Sequence, residues 1–172
     1  PAVACGDGHL MQVRPLAPFG AEITGIDCAD PLIDFASLAR QIAFTRVTVL
    51  RDQRCNDDEF VRFLAGFGPL VFTDGETPVA HAPLLNIVSN VGRDRPPVSQ
   101  FHTDSSYFKA PPSFTALRPV LLPEQGGAIL FCDQVKAATA LPPRWAACLA
   151  GRQVLHRCSG LEGVDDEHWH PL

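Results

Sequence analysis

The octapeptide Q-F-H-T-D-S-S-Y at residues 100–107 decides both the expected fold and the expected chemistry of this chain. In an extended backbone, side chains two positions apart point to the same face, so His102 and Asp104 would converge from one side. One imidazole and one carboxylate are two of the three ligands of a 2-His-1-carboxylate site, which suits Fe(II) and leaves positions open for small molecules. The same pattern fits a surface turn in which the aspartate accepts a backbone hydrogen bond. The residues alone leave both interpretations open.

Two apolar segments and a glycine pair follow the octapeptide. Residues 114–122 are largely apolar, residues 128–133 alternate in polarity, and Gly126 and Gly127 stand between them. Two such segments joined by a short glycine turn are typical of a β-hairpin. We therefore predict a hairpin from Phe114 to Asp133.

Taken together, these segments resemble the taurine dioxygenase and chlorophenoxyacetate dioxygenase family of Fe(II)/2-oxoglutarate enzymes. The resemblance is carried, in order, by F-H-T-D-S-S-Y at 101–107, P-P at 111–112, L-L-P-E-Q-G-G at 121–127 and F-C-D-Q-V-K-A-A-T-A-L-P at 131–142. It implies a mainly β fold with flanking helices, a double-stranded β-helix or jelly roll, of which this chain would hold the N-terminal part. It also implies that His102 and Asp104 are catalytic residues that bind Fe(II). The implied reaction uses 2-oxoglutarate as cosubstrate and dioxygen to hydroxylate or desaturate a small organic substrate.

The resemblance also suggests residues that contact the substrate. Residues 72–84 lack periodicity and are rich in Thr, Pro, Gly and Ala, which predicts a loop before a strand at Leu85–Ser89. In the resembling family this region shapes the substrate mouth, which implies contacts from His81 and Asn90. Phe101 would supply an aromatic wall where the family frequently has tryptophan. For His81 the alternative is a surface histidine with a local partner.

Composition limits the class of protein and of partner. With 172 residues, 46% hydrophobic and 19% charged, the chain is long and apolar enough for one domain with a core, and we expect a single, partial domain over residues 1–172. The net charge of −5, with 12 Arg and 2 Lys spread without runs, indicates no nucleic-acid partner. Apolar runs fall short of the roughly 20 residues that span a bilayer, so we expect no membrane role. Six cysteines without a C-x-x-C motif indicate free thiols in a cytoplasmic protein, and a homo-oligomer is left open.

Local signals predict most helices and strands. Asp34 is a candidate N-cap for a helix that carries Phe35, Leu38 and Ile42 on one face, and Asn56 with Glu59 fits a capping box. Phe60, Phe63 and Phe67 lie on the apolar face of the second helix, which would end at Gly68-Pro69 and contribute to the core. We treat residues 1–9 as a frayed end. The remaining predictions are strands within 11–18, 21–27, 47–50 and 153–158, and helices at 133–140 and 143–150.

The end of the chain lacks two groups that the resemblance implies. Family members continue for about a hundred residues past a His-Pro-hydrophobic step, which here is His170-Pro171-Leu172. The second histidine ligand, and an arginine that would pair with the far carboxylate of the cosubstrate, would lie in that continuation. We therefore expect a C-terminally truncated fragment, or a partner chain that supplies the rest. The alternative ligands within the chain are His168 and His170, on a tail expected to have little packed structure.

Two further interpretations stay open. After Gly127 the family commonly carries a polar residue and then a threonine that contacts the cosubstrate, whereas this chain has Ala128 and Ile129. That loss favours a catalytically inactive barrel remnant that acts as a binding or partner-interaction module. The intact His102 and Asp104 pair opposes it. A cupin-like metal isomerase is less well supported, because the flanking P-P and G-G segments match the dioxygenases.

Overall fold

The structure is a computed structural model that describes residues 3–4, 10–72, 76–89, 91, 100–158 and 166–172. The chain divides into two compact units. The first contains Pro1–Leu70 and Ala80–Leu85, and the second contains Val71–Val79 and Asn86–Leu172. In the described ranges, no helix is long and apolar enough to cross a membrane.

A four-stranded sheet with the order β1-β2-β3-β4 is the centre of the first unit. Strand β2 runs antiparallel to β3, and β3 runs parallel to β4 with the helix α1 in the connection. Val3 and Ala4 pair with Met11 and Leu10, so the expectation of a frayed start is wrong at these two residues. The bounds are β1 Val3–Ala4, β2 Leu10–Pro15, β3 Ala21–Thr24, α1 Phe35–Thr45 and β4 Thr48–Leu50.

Both helices of this unit begin at the predicted caps. Asp34 Oδ1 accepts a hydrogen bond of 3.0 Å from the Ser37 backbone N–H at the start of α1. Helix α2, Asp57–Ala65, begins with the complete capping box. Asn56 Oδ1 accepts from the Glu59 N–H at 2.9 Å, and Glu59 Oε2 accepts from the Asn56 N–H at 2.8 Å. The helix ends at Ala65, a few residues before the predicted Gly68-Pro69.

The core of the first unit lies where α1 and α2 meet. Phe63 is 6% exposed, and its ring lies 5.8 Å from Phe35 and 5.3 Å from Phe67 between centroids. A Cβ atom at position 66 would lie 2.3 Å from the Phe35 ring, so only glycine allows this close approach. The predicted core role of the aromatic stripe is confirmed. The buried cluster comprises Met11, Ile23, Ile26, Cys28, Leu38, Cys55 and Phe63, and burial raises the pKa of the Cys28 thiol to about 12.

A short two-stranded sheet occupies part of the predicted loop. It consists of β5, Pro78–Val79, and β6, Ala82–Asn86. The strand predicted at Leu85–Ser89 therefore begins three residues early and ends at Asn86, and residues 87–89 are not in a strand. The chain reverses direction in a turn after Val79, so pairing with β5 begins at Ala82. One residue past the end of β6, the Ile87 N–H donates a hydrogen bond of 2.8 Å to the Thr77 carbonyl.

The second unit contains the predicted helices and one strand that was not expected. Helix α3, Gln134–Thr139, is capped by Asp133, and α4, Pro143–Leu149, has proline at its first position. Strand β7, Gln153–Arg157, matches the predicted strand. It pairs antiparallel with β8, Glu167–Pro171, so the tail is part of a sheet and the expectation of an unpacked tail is wrong.

The predicted hairpin at 114–133 is wrong for the chain as described. All of these residues are described and none is in a strand. Gly126 and Gly127 do have the positive φ values, 77° and 73°, that a tight hairpin turn requires. Pro119 and Pro123 lack backbone donors, and an isolated hairpin is marginally stable without further strands. The described residues thus mix strands and helices, and the jelly roll is not visible in them.

Candidate metal centre

His102 and Asp104 approach each other without the predicted strand. Residues 102 and 103 have no regular structure and Asp104 begins a turn. Nevertheless His102 Nε2 lies 3.0 Å from Asp104 Oδ1. The two side chains are 59% and 49% exposed, so the space around this pair of atoms is open to solvent molecules and ligands. The predicted convergence is present, but a turn produces it.

The hydrogen bond on the other ring nitrogen fixes the tautomer of His102. Nδ1 lies 2.7 Å from the Gln100 carbonyl oxygen, which can only accept, so Nδ1 carries a hydrogen and donates it. In the neutral ring Nε2 then bears a lone pair, which faces the Asp104 carboxylate oxygen. Two acceptors at 3.0 Å repel each other unless a cation lies between them. A proton or a metal ion between His102 Nε2 and Asp104 Oδ1 would remove this repulsion.

When no metal is bound, a proton on His102 Nε2 removes the repulsion between this nitrogen and Asp104 Oδ1. The hydrogen bond from Nδ1 to the Gln100 carbonyl raises the pKa of His102 above its ordinary value, and the negative charge of Asp104 raises it further. Partial desolvation acts in the opposite direction. The protonated ring donates from both nitrogens, which removes the clash with Asp104.

The donor set also fits Fe(II). Two donors bound at about 2.1 Å with a right angle between them lie about 3.0 Å apart. That is the separation of His102 Nε2 and Asp104 Oδ1. Imidazole and carboxylate are suitable ligands for ferrous iron, and metal-binding histidines commonly donate their other N–H to a backbone carbonyl. The Gln100 carbonyl supplies that orienting bond here.

Competition between proton and metal leads to a prediction on pH. The raised pKa of His102 means that the ring holds a proton at and somewhat above its ordinary titration range, and a metal must displace it. Affinity for Mn(II) should therefore fall about tenfold per pH unit below the pKa of His102 and level off above it. Loss of the free Mn(II) signal in electron paramagnetic resonance, followed between about pH 5.5 and 8, measures this. A flat profile would contradict the assignment of Nε2 as the donor.

A tight turn follows the second donor. Ser105 has a φ of 50°, in the left-handed region, and its carbonyl accepts from the Phe108 N–H at 3.1 Å. The rings of Tyr107 and Phe108 contact each other at 4.8 Å between centroids. The Phe108 carbonyl in turn lies 3.0 Å from His170 Nε2. A histidine far along the chain thus contacts the backbone four residues after Asp104.

Comparison with known proteins gives this site a context. Residues 12–169 match the family described as "Taurine catabolism dioxygenase TauD, TfdA family". The chain belongs to this family. The resemblance found in the sequence is thereby confirmed.

Two curated relatives of this chain are named as dioxygenases. The chain is 30% identical over 168 residues to "Alpha-ketoglutarate-dependent 2,4-dichlorophenoxyacetate dioxygenase" from Cupriavidus pinatubonensis, with 85% of this chain and 58% of the relative covered. It is 30% identical over 161 residues to "Alpha-ketoglutarate-dependent sulfonate dioxygenase" from Saccharomyces cerevisiae, with 85% of this chain and 39% of the relative covered. The chain therefore spans about half the length of these TauD/TfdA relatives.

His102 and Asp104, the two ligands that the family resemblance implies, are both among the described residues. Among them, no group of three or more His, Cys, Asp or Glu side chains is arranged to hold a metal ion. His170 contacts the Phe108 carbonyl, and His168 pairs across the strands with His156. The structure thus gives no support to the tail histidines as substitute ligands. Cys158, which follows His156 by two positions, is buried.

The three predicted substrate contacts have different outcomes. Phe101 precedes His102 directly and is 71% exposed, which leaves its ring available to a ligand. His81 belongs to the first unit, where its Nε2 lies 2.7 Å from Asp57 Oδ2 at the start of α2. That contact favours the surface interpretation of His81. Asn90 lies outside the described residues.

Sequence reasoning does not identify two of the contacts described above, that of the Gln100 carbonyl with His102 and that of His170 with the Phe108 carbonyl. The Gln100 contribution is a backbone carbonyl, which any residue type supplies, so no sequence signal identifies it. The other contact is that of His170, which the sequence suggests only as an alternative metal ligand. The alternation of Glu167–Pro171 places His168 and His170 on one face of a strand but does not indicate the contact with the Phe108 carbonyl.

Proposed function

We propose that the complete protein is a non-haem Fe(II)/2-oxoglutarate-dependent dioxygenase that hydroxylates or desaturates a small organic substrate. The observation that carries this proposal is the pair of acceptor atoms, His102 Nε2 and Asp104 Oδ1, 3.0 Å apart with Nδ1 engaged by the Gln100 carbonyl. Membership of the TauD/TfdA family supports the same chemistry. The second histidine and the arginine for the far carboxylate of 2-oxoglutarate remain proposals outside the described residues.

Each residue of the site has a defined task in this proposal. Bound Fe(II) would activate dioxygen while 2-oxoglutarate is oxidised to succinate and carbon dioxide. His102 would hold the metal through Nε2, and the Gln100 carbonyl engages Nδ1–H, so that Nε2 is the nitrogen that presents its lone pair once the metal displaces the proton. Asp104 adds a negative charge that offsets part of the metal charge. The exposure of both side chains leaves room for the cosubstrate and for the substrate beside Phe101.

The exposed apolar segment supports the jelly-roll part of the proposal. Val120, Leu121 and Leu122 are 85%, 81% and 73% exposed, and Leu130 is 74% exposed. Apolar runs of this length are normally buried in paired strands. We propose that in the complete protein they are strands of a double-stranded β-helix within one domain that includes residues 1–172. The glycine turn at 126–127 already has the conformation that joins two such strands.

The substrate is proposed by class. The relatives are named for a chlorophenoxyacetate and for sulfonates, which are both small organic anions. Phe101 would contact the apolar part of such a molecule, and Asn90 is retained as a proposed polar contact. None of the described cysteines is in a disulfide bond, which agrees with a reducing compartment such as the cytoplasm.

Ile129 favours a second candidate function, an inactive binding module. It stands where the family commonly has a threonine and is 58% exposed. Without that hydroxyl, one oxygen of 2-oxoglutarate lacks a hydrogen-bond donor, which costs roughly 1 to 3 kcal/mol if the oxygen is buried. Replacing Ile129 by threonine is expected to tighten 2-oxoglutarate binding by about 0.5 to 1.5 kcal/mol, measured by calorimetry with Mn(II) present. A weaker complex would show that the isoleucine forms part of a rebuilt pocket.

Cosubstrate turnover distinguishes the two functions. The full-length protein, supplied with Fe(II), ascorbate and 2-oxoglutarate, is tested with a panel of aryloxyacetates, alkyl sulfonates and neutral analogues of matched size. The dioxygenase should form succinate and consume dioxygen in equal amounts, faster with one class of anion than with its neutral analogue. A remnant should bind ligands without forming succinate under any of these conditions, and that result would contradict the proposed enzyme.

A further inference from the structure

Three histidines lie together on one face of the β7–β8 hairpin. His156 and His168 are paired across the two strands, and His170 lies two positions beyond His168 on the same face. The His170 ring is 5.0 Å from that of His168 and 5.3 Å from that of His156, between centroids. His170 differs from the other two because its Nε2 also reaches the Phe108 carbonyl at 3.0 Å. A carbonyl accepts only, so Nε2 is the donor.

This contact anchors the end of the turn that begins at Asp104. The turn contains Ser105 with φ at 50°, a left-handed conformation that is unfavourable for a residue with a side chain. Such a conformation persists where the surroundings hold it in place. The Phe108 N–H bonds to the Ser105 carbonyl from inside the turn, and His170 holds the Phe108 carbonyl from outside.

The paired strands β7 and β8 hold His170 in place. Five residue pairs link β7 to β8, from Gln153 with Pro171 to Arg157 with Glu167. Backbone hydrogen bonds close both ends of the ladder, with Cys158 N–H to Asp166 O at 2.9 Å and Leu172 N–H to Arg152 O at 3.0 Å. His170 itself is half-buried. Its position is therefore set by the sheet and by the neighbouring rings.

We infer that His170 is a positioning residue of the metal centre: by donating from Nε2 to the Phe108 carbonyl, it holds the Ser105–Phe108 turn and thereby fixes the Asp104 carboxylate opposite His102. This inference rests on the proposed function, because it concerns the same site. It assigns His170 a task other than ligation. Metal sites require their ligands to be held within about half an ångström, so a loosened turn weakens binding even though both ligands remain.

The test is Mn(II) affinity of the full-length protein, followed anaerobically by the signal of free Mn(II), together with the visible spectrum of bound Co(II). His170→Leu removes the donor, and we expect about three- to tenfold weaker Mn(II) binding and an altered Co(II) spectrum. His170→Gln places an amide N–H near the position of Nε2 and should recover affinity to within about twofold. The matched control is His168→Leu, on the same strand and in the same ring cluster, which should bind Mn(II) like the wild type.

Two results would overturn the inference: wild-type affinity in His170→Leu, or equal weakening by His168→Leu. Should His170→Leu fail to fold, His170→Gln is compared with His170→Asn, whose shorter side chain places its amide near Nδ1. Gln should then bind Mn(II) more tightly than Asn, and equal affinities would contradict the assigned hydrogen bond.

A second substitution tests whether His170 acts on Asp104 through the Ser105–Phe108 turn. Glycine adopts a positive φ without strain, so Ser105→Gly should make the turn less dependent on its anchor. In that background His170→Leu should cost less Mn(II) affinity than in the wild type, and an unchanged cost would contradict the route. His102→Ala in the same titration separates the two claims. If it leaves Mn(II) affinity unchanged, the proposed function fails; if it weakens binding while His170→Leu does not, only the positioning role fails.

Discussion

Replacing His102 or Asp104 by alanine is expected to weaken Mn(II) binding by well over tenfold. Each substitution removes one of the two donor atoms that lie 3.0 Å apart. In the full-length protein the remaining donor and the proposed second histidine would hold a divalent ion much less tightly than three ligands do, and neither His102 nor Asp104 is buried enough to offer a substitute donor. Anaerobic titration of the full-length protein, followed by the free Mn(II) signal, gives the affinity directly.

The control for this pair is Thr103→Ala. Thr103 lies between the two ligands and its side chain is exposed, so its loss should change Mn(II) affinity by less than about twofold. A comparable weakening from all three substitutions would indicate general disruption of the segment. Unchanged binding in both ligand variants would remove the basis of the site.

The second large effect concerns the core of the first unit. Phe63→Ala should lower the free energy of unfolding by about 3 to 5 kcal/mol, because it removes a ring packed between Phe35 and Phe67 and leaves a cavity. Phe44→Ala is the matched control, since Phe44 is also on a helix but is 78% exposed, and it should cost less than about 0.5 kcal/mol. Urea unfolding of the full-length protein compares the two. Similar costs would mean that the aromatic cluster is not the core.

The elements that the sequence predicts well are those set by local chemistry. Asp34 accepts from Ser37, and Asn56 and Glu59 exchange hydrogen bonds, as the cap patterns indicate. The buried strand at β4 and the proline start of α4 also follow from nearby residues. In each case the partner lies within four residues or the signal is a continuous apolar run.

The elements that fail depend on distant partners. The segment 114–133 has strand-like alternation and a correctly shaped Gly126-Gly127 turn, but a strand requires a neighbouring strand to satisfy its backbone. Strand β8 is the opposite case. No strand was predicted at Glu167–Pro171, but this segment pairs with β7 and is therefore a strand. Neither outcome is contained in the local pattern.

The convergence of His102 and Asp104 was predicted, but its detail was not. The His-x-Asp spacing indicated that the two side chains would meet, although the backbone that brings them together is a turn. The bond from Nδ1 to the Gln100 carbonyl, which sets the tautomer, comes from the backbone and has no sequence signature. The contact of His170 joins positions 62 residues apart, beyond the reach of periodicity arguments.

The most direct test of the central claim is Fe(II)-dependent succinate formation from 2-oxoglutarate by the full-length protein, measured for the wild type, Asp104→Ala and Thr103→Ala. Succinate formation is expected in the wild type and in Thr103→Ala, and it should disappear when Fe(II) is chelated. Asp104→Ala should form succinate only at the background rate at every Fe(II) concentration. Succinate formation by Asp104→Ala at the wild-type rate, or none from the wild type with any substrate of the panel, would contradict the central claim.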